Sequence, residues 1–227
     1  MPNYVTNIIN LEGNKDIIEK VLESLEGENG DVDFNTIVPM PKSLNISSGS
    51  MEDQAIAVYL YKEKKDDSKL KQILDYSWVK EQNINTIDEL CDYFIKKIPK
   101  ILDSGKIYVE NIEKYGFSTW YGWCNANWGT KWNACEPWAD EDSFGFCTAW
   151  GDVNELILKL SERFPDVTFN YRYADEDFGA NVGKYVIKNG EIIDEYIPDD
   201  CSDEAYDLAT EILGYDDREL WDEDDDE

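Results

Sequence analysis

Two amides and an ammonium, Asn127, Lys131 and Asn133, are the side chains of this sequence best placed to hold a ligand. They lie in the run Asn127-Trp128-Gly129-Thr130-Lys131-Trp132-Asn133-Ala134. On a strand, the two-residue period puts all three on one face with Gly129, opposite Trp128, Thr130, Trp132 and Ala134. A lysine between two amides can grip an anionic group, and Gly129 lets that group come close to the backbone. The competing reading is a solvated or backbone-bonded row on the polar side of a sheet. Phe144, Phe146, Thr148 and Trp150 alternate in the same way against Gly145, Cys147 and Ala149. If the two runs pair, their rings form a slab, and six of the eight tryptophans lie between Tyr115 and Trp150. Such rings could stack bases or sugars. Their period fits a buried face better, so they are expected to turn inward.

Other chemistry is poorly represented. The chain has no histidine, which removes histidine nucleophile activation, general-base and metal-ligand chemistry together. Cys91, Cys124, Cys135, Cys147 and Cys201 fit neither a zinc spacing nor a disulfide framework, and a reducing cytoplasm suits them best. Asp140-Glu141-Asp142 and Asp175-Glu176-Asp177 lack the complete calcium-loop pattern and its glycine. Gly129-Thr130-Lys131 lacks the glycine-rich loop of a phosphate cradle. No cofactor or metal is expected, and the balance leans away from an enzyme. Neither a leader pattern nor a run long enough to span a bilayer is present, so a soluble cytoplasmic protein without a membrane partner is expected.

Charge is the other functional clue. Fifty acidic residues against 21 basic ones give a formal charge of −29, which opposes direct contact with nucleic acid phosphates and favours a basic protein partner. The stretch from Glu191 to Glu227 holds 18 acidic residues and one arginine, leaving −12 on the preceding 190 residues. Asp216 and Asp217, with the block Asp222, Glu223, Asp224, Asp225, Asp226 and Glu227, are the expected partner-binding residues, and the block is expected to be disordered.

The elements that must carry these groups read as follows. Val5, Ile9 and Leu11 mark one face of a strand over Asn3 to Glu12, and Asn14 caps a helix with apolar positions Ile17, Ile18, Val21, Leu22 and Leu25. Asp33 to Pro41 reads as a short extended segment, because each proline disfavours helix at the residue before it. From Glu52 to Tyr115 helical stripes dominate, and Thr86 with Glu89 has the form of a capping box. Asp152 with Glu155 signals a second long helix, lined by Val153, Leu156, Ile157, Leu160 and Phe164 and stopped by Pro165. Val167 to Tyr173 alternates as a strand. Asn189-Gly190 joins Lys184 to Lys188 and Glu191 to Tyr196 in a tight hairpin, and Asp203 to Leu213 is a helix.

This order is α+β: a ferredoxin-like βαββαβ antiparallel sheet with a helical insertion, an added C-terminal hairpin and an acidic tail. The expected division is 1–50 and 116–200 as two parts of one domain, 51–115 as the insertion, and 201–227 as C-terminal helix and tail. The sequence also resembles the YubB ferredoxin-like domain family of phages and plasmids. The resemblance is carried by Met1-Pro2-Asn3, the run from Phe34 to Pro41, the aromatic run from Asn127 to Ala134, Thr148-Ala149-Trp150 and Leu160-Ser161-Glu162-Arg163-Phe164-Pro165. Gly151-Asp152 stands where that family usually has Ser-Pro-Pro, and Tyr4 stands for the usual Trp. The resemblance implies a fold and a mobile-element setting, with no activity to carry over. Charge and setting together suggest a non-catalytic acidic protein that binds, and through DNA mimicry inhibits, a basic nucleic-acid-binding or defence protein of the host. The alternative is a small anionic ligand, a nucleotide or an uncharacterised reaction at the open face of the sheet.

Overall fold

The computed structural model describes residues 2–215. In chain order they form β1 (Tyr4–Glu12), α1 (Lys15–Leu25), α2 (Phe34–Ile37), α3 (Ser50–Tyr59), α4 (Ser68–Leu74), α5 (Ser77–Glu81), α6 (Ile87–Lys97), α7 (Ile101–Tyr115) and α8 (Trp120–Trp128). There follow β2 (Cys135–Ala139), β3 (Ser143–Ala149), α9 (Asn154–Arg163), β4 (Thr168–Asp175), β5 (Val182–Lys188), β6 (Glu191–Tyr196) and α10 (Asp203–Leu213). The chain divides into two compact units: Met1–Pro39 with Cys124–Glu227, and Met40–Trp123.

In the first unit the strands make one antiparallel sheet in the order β2-β3-β1-β4-β5-β6. Its first four strands, with α1 and α9, have the ferredoxin-like arrangement, and the β5–β6 hairpin extends it beyond β4. β1 is central because both its neighbours pair with it over most of its length. Its alternation therefore shows as complete burial of Val5, Asn7 and Ile9. On the same face Phe144 and Phe146 of β3 and Phe169, Tyr171 and Tyr173 of β4 are buried, opposite Ile18, Val21 and Leu25 of α1 and Leu156, Ile157 and Leu160 of α9. Phe34 lies edge-on to Phe146 at 5.1 Å and to Trp128 at 5.8 Å. Edge-to-face geometry of this kind adds about 1 kcal/mol beyond the area buried.

A polar chain crosses this core. The Asn7 amide donates to the Val5 carbonyl and to Thr148 Oγ1, each at 2.8 Å, and its oxygen accepts the Tyr171 hydroxyl at 2.6 Å. That hydroxyl in turn accepts the Val153 N–H at 2.9 Å. Three strands and the start of α9 are thus pinned in register by groups that are costly to bury unpaired. Asn189 (φ 49°) and Gly190 (φ 77°) both adopt the positive φ that a two-residue hairpin of matching twist requires.

The polar face of the sheet is not open along its length. Ala205, Leu208, Ala209 and Ile212 of α10 bury themselves with Ala174, Val182 and Ile8 of the strands. Arg172 fastens the helix, donating to Glu211 at 2.9 Å and to Asn10 at 3.0 Å.

In the second unit α3, α4, α5, α6 and α7 bury Ala55, Ile56, Leu70, Val79, Leu90, Phe94, Ile101 and Tyr108 around one another. Thr86 and Glu89 form the expected capping box at the start of α6.

Three local expectations are corrected. Trp120–Trp128 is helix, and Gly129 (φ 81°) ends it in the left-handed conformation, so no strand runs through 127–134. Asp33 to Pro41 is not extended throughout: the Asp33 carboxylate accepts the Asn35 N–H and caps the single turn of α2. The α9 cap is Val153, one residue after the expected Asp152.

Candidate functional site

Without a strand through 127–134, the three proposed ligand groups are not a row. Asn127 ends up near the C-terminus of α8, where its carbonyl accepts Lys159 Nζ at 3.4 Å. Asn133 is used by the fold. Its oxygen accepts the N–H groups of Phe34 (2.8 Å) and Ala134 (2.9 Å), and its amide donates to Asp33 Oδ1 at 2.7 Å. Asp33, 4% exposed, also accepts from Asn35 and from the Asn29 N–H. Burial works to raise the Asp33 carboxyl, but these hydrogen bonds, Asn133's foremost, outweigh it and hold the group below its ordinary range.

Lys131 is half-buried, in aromatic company. Its ammonium lies 4.0 Å from the centre of the Trp132 ring and 5.9 Å from that of Trp150, within reach of a cation–π attraction. The two-residue period places both rings inward, yet Trp132 is 38% and Trp150 59% exposed. Trp128 and Phe146, expected on the same inward faces, are buried. Trp150 ends β3 with φ 75°, a conformation that bulky residues rarely adopt. Its N–H donates to the Asn3 carbonyl at 3.0 Å, and its carbonyl accepts the Asn181 amide at 3.3 Å. That left-handed turn breaks the alternation and sends the ring out of the core face. The result is a small platform of two indole faces and one ammonium.

Carboxylates gather elsewhere on the same unit. Glu19 and Glu23 stand four apart on α1 and so share one face of it, and Glu26 follows as the extended residue that ends the helix. With Asp31 and Glu141 they line a cleft of about 430 Å³, in which Lys15 is the one cation among the described residues. Ion pairs that offset acidic charge are plentiful in the helical unit, as in Lys62–Asp92, Lys69–Asp53, Lys71–Asp67 and Lys106–Glu110. The proposed partner-binding residues Asp216, Asp217, Asp222, Glu223, Asp224, Asp225, Asp226 and Glu227 lie outside the described residues. Among the described residues no group of three or more histidine, cysteine, aspartate or glutamate side chains could hold a metal ion, and no helix is long and apolar enough to cross a membrane.

One carboxylate stands apart. Asp152 Oδ2 is buried without a hydrogen-bond partner, and burial raises the group's pKa despite the opposing hydrogen bond from the Asn154 N–H. The sign follows: a carboxyl whose pKa is raised by folding destabilises the native state when ionised, and that cost disappears as pH falls through the folded value. Asp152→Asn should therefore gain stability relative to the native chain near neutral pH. Thermal scans at descending pH should show the gain shrinking towards the ordinary carboxyl range of about 4.

A search of the curated proteins finds no match to the sequence. The structure is similar to the crystal structure of protein api92 from Yersinia pseudotuberculosis, at 10% identity and a TM-score of 0.43, with 88% of this chain and 99% of that chain covered. Residues 127–216, which hold the aromatic platform, β2 to β6, α9 and α10, match the family model described as the ferredoxin-like domain in Api92-like protein.

Proposed function

We propose that this chain is a non-catalytic acidic binding protein that captures a basic protein partner. The observation that supports the reading is the carboxylate-lined groove beside α1, where Glu19, Glu23, Glu26, Asp31 and Glu141 surround Lys15 within the body of the fold. Acidic charge is therefore not confined to the tail: the twelve residues from Asp216 on hold nine carboxylates and one arginine, so −21 of the −29 lies before them. A field of this sign speeds encounter with a basic surface and repels nucleic acid. The resemblance to the YubB family supplies the rest of the proposal, a phage or plasmid protein acting in the host cytoplasm on a nucleic-acid-binding or defence protein, through a surface that stands in for DNA phosphates.

The test is retention of host proteins on the immobilised chain at about 50 mM and about 200 mM salt, a range over which contacts of this kind weaken steeply. It is run beside the Glu19→Gln, Glu23→Gln, Glu26→Gln triple variant and a chain ending at Tyr215. The reading requires a basic protein whose capture falls at least tenfold with salt and with either variant. Failure to retain any basic protein at low salt, or retention indifferent to both variants, would refute it.

A second reading rests on the exposed indoles of Trp132 and Trp150 beside Lys131, which together could stack a planar anionic ligand such as a nucleotide. Here a nucleotide that raises the melting temperature of the native chain should leave Lys131→Ala unmoved. A metabolite and nucleotide screen without any such shift would count against it.

A further inference from the structure

We infer that Cys135 and Cys147 form a cross-strand dithiol site that a small-molecule disulfide converts to an intramolecular disulfide, stapling the edge strand β2 to β3. The two residues are direct partners in the antiparallel register of these strands. Opposed residues in such a ladder have Cα atoms about 4.5 to 5.5 Å apart and side chains on the same face. That separation falls inside the range of about 4.4 to 6.8 Å that a disulfide spans. All five cysteines are thiols in this structure.

Access and environment agree with the pairing. Both side chains are partly buried and line one cleft of about 480 Å³ together with Tyr4, Thr6, Glu136 and Glu176, so a small oxidant can reach either sulfur. The other thiols are placed differently: Cys91 and Cys124 are buried, and Cys201 is exposed. β2 is the strand with most to gain. It is terminal in the sheet, its register slips between Cys135 and Trp138, and Glu136 between them has φ 49°.

The chemistry is two successive thiol–disulfide exchanges. One cysteine thiolate attacks a sulfur of the small disulfide, forming a mixed disulfide and expelling one small thiolate. The facing cysteine, losing its proton to solvent, then attacks the protein sulfur of that mixed disulfide and expels the second small thiolate. Two S–H bonds are lost and one S–S bond forms on the protein, while the oxidant takes up two electrons and becomes two thiols. Burial raises both cysteines above the ordinary thiol range, so the first attack quickens with alkaline pH. In a reducing compartment the pair rests as thiols, and it closes when disulfide stress rises.

The test treats the full chain carrying Cys201→Ser, which removes the exposed thiol, with oxidised glutathione. Thiols are then counted by alkylation and peptide mass mapping. The expected product has lost two thiols and links the peptides of Cys135 and Cys147. It melts about 5 to 10 °C higher than the reduced chain, in line with a short closed loop, and dithiothreitol reverses the change. Cys135→Ser and Cys147→Ser, each on the same background, should stop at a glutathione mixed disulfide on the remaining partner. Retention of both thiols, stable glutathione adducts on both sulfurs, or links only between chains would overturn the assignment.

Discussion

Asn133→Ala should cost this protein about 3 kcal/mol, or roughly 6 to 12 °C in melting temperature, although the residue is a partly exposed polar side chain in a turn. Its oxygen serves two N–H groups, those of Phe34 and Ala134, and its amide is the leading hydrogen bond to the carboxylate of Asp33. Truncation leaves all three without that partner, and the loss of a partner from a buried charged acceptor is the more expensive part. Asp33 in turn caps α2 and accepts the Asn29 N–H, while the Asn29 amide donates to Ala134 at 2.8 Å. The substitution thus loosens a closed loop of contacts and not a single bond. The same change at Lys131, half-buried beside its two rings, should cost only about 0.5 to 1 kcal/mol, the worth of a cation–π contact near water. Denaturant titration of the two variants side by side checks both statements. Equal midpoints would mean that the Asn133 network does not carry the region.

Gly105→Ala has an expected sign opposite to that of helix propensity. Gly105 lies inside α7, where alanine is normally worth about 1 kcal/mol over glycine. Here the added methyl would fall on the Ala55 carbonyl oxygen and within 2.7 Å of Tyr59 Cβ, both on α3. The two helices cross at a distance set by the absence of a side chain, and neither backbone nor a Cβ can swing aside. Overpacking of this kind should cost about 3 kcal/mol and outweigh the propensity gain. The measurement is the denaturant midpoint of Gly105→Ala against Gly116→Ala. Gly116 has open space around it and a φ of 79°, so backbone strain alone sets its penalty, at about 1 kcal/mol. A midpoint for Gly105→Ala at or above that of the native chain would refute the close crossing.

Much of the fold was legible because its signals are local. The Asn14 and Thr86 caps, the Asn189-Gly190 turn and the apolar stripe of α9 are each written within a few residues. The aromatic run from Asn127 to Ala134 misled for a physical reason. Trp128, Thr130 and Ala134 are buried at even spacing, as on a strand. That spacing is produced by the end of one helix and a series of turns, and no local feature distinguishes the two cases. The exposed Trp150 was hidden in the same way, since its inward reading assumed that β3 continued one residue further than it does.

The sequence by itself determined the charge and, outside 33–41 and 120–134, most of the order of the elements and of the faces that bury the core, because each depends on residue types at fixed spacing along the chain. It also marked Asn127, Lys131 and Asn133 as polar groups in aromatic surroundings. Tertiary structure alone decided what those groups do. Asn133 is tied to Asp33, a hundred residues away, and Lys131 is left half-buried beside two indoles. Only the packing of α10 revealed that one face of the sheet is partly covered, and only the register of β2 against β3 brought Cys135 opposite Cys147. These are contacts between distant segments, set by how surfaces fit together, and a local period cannot encode them.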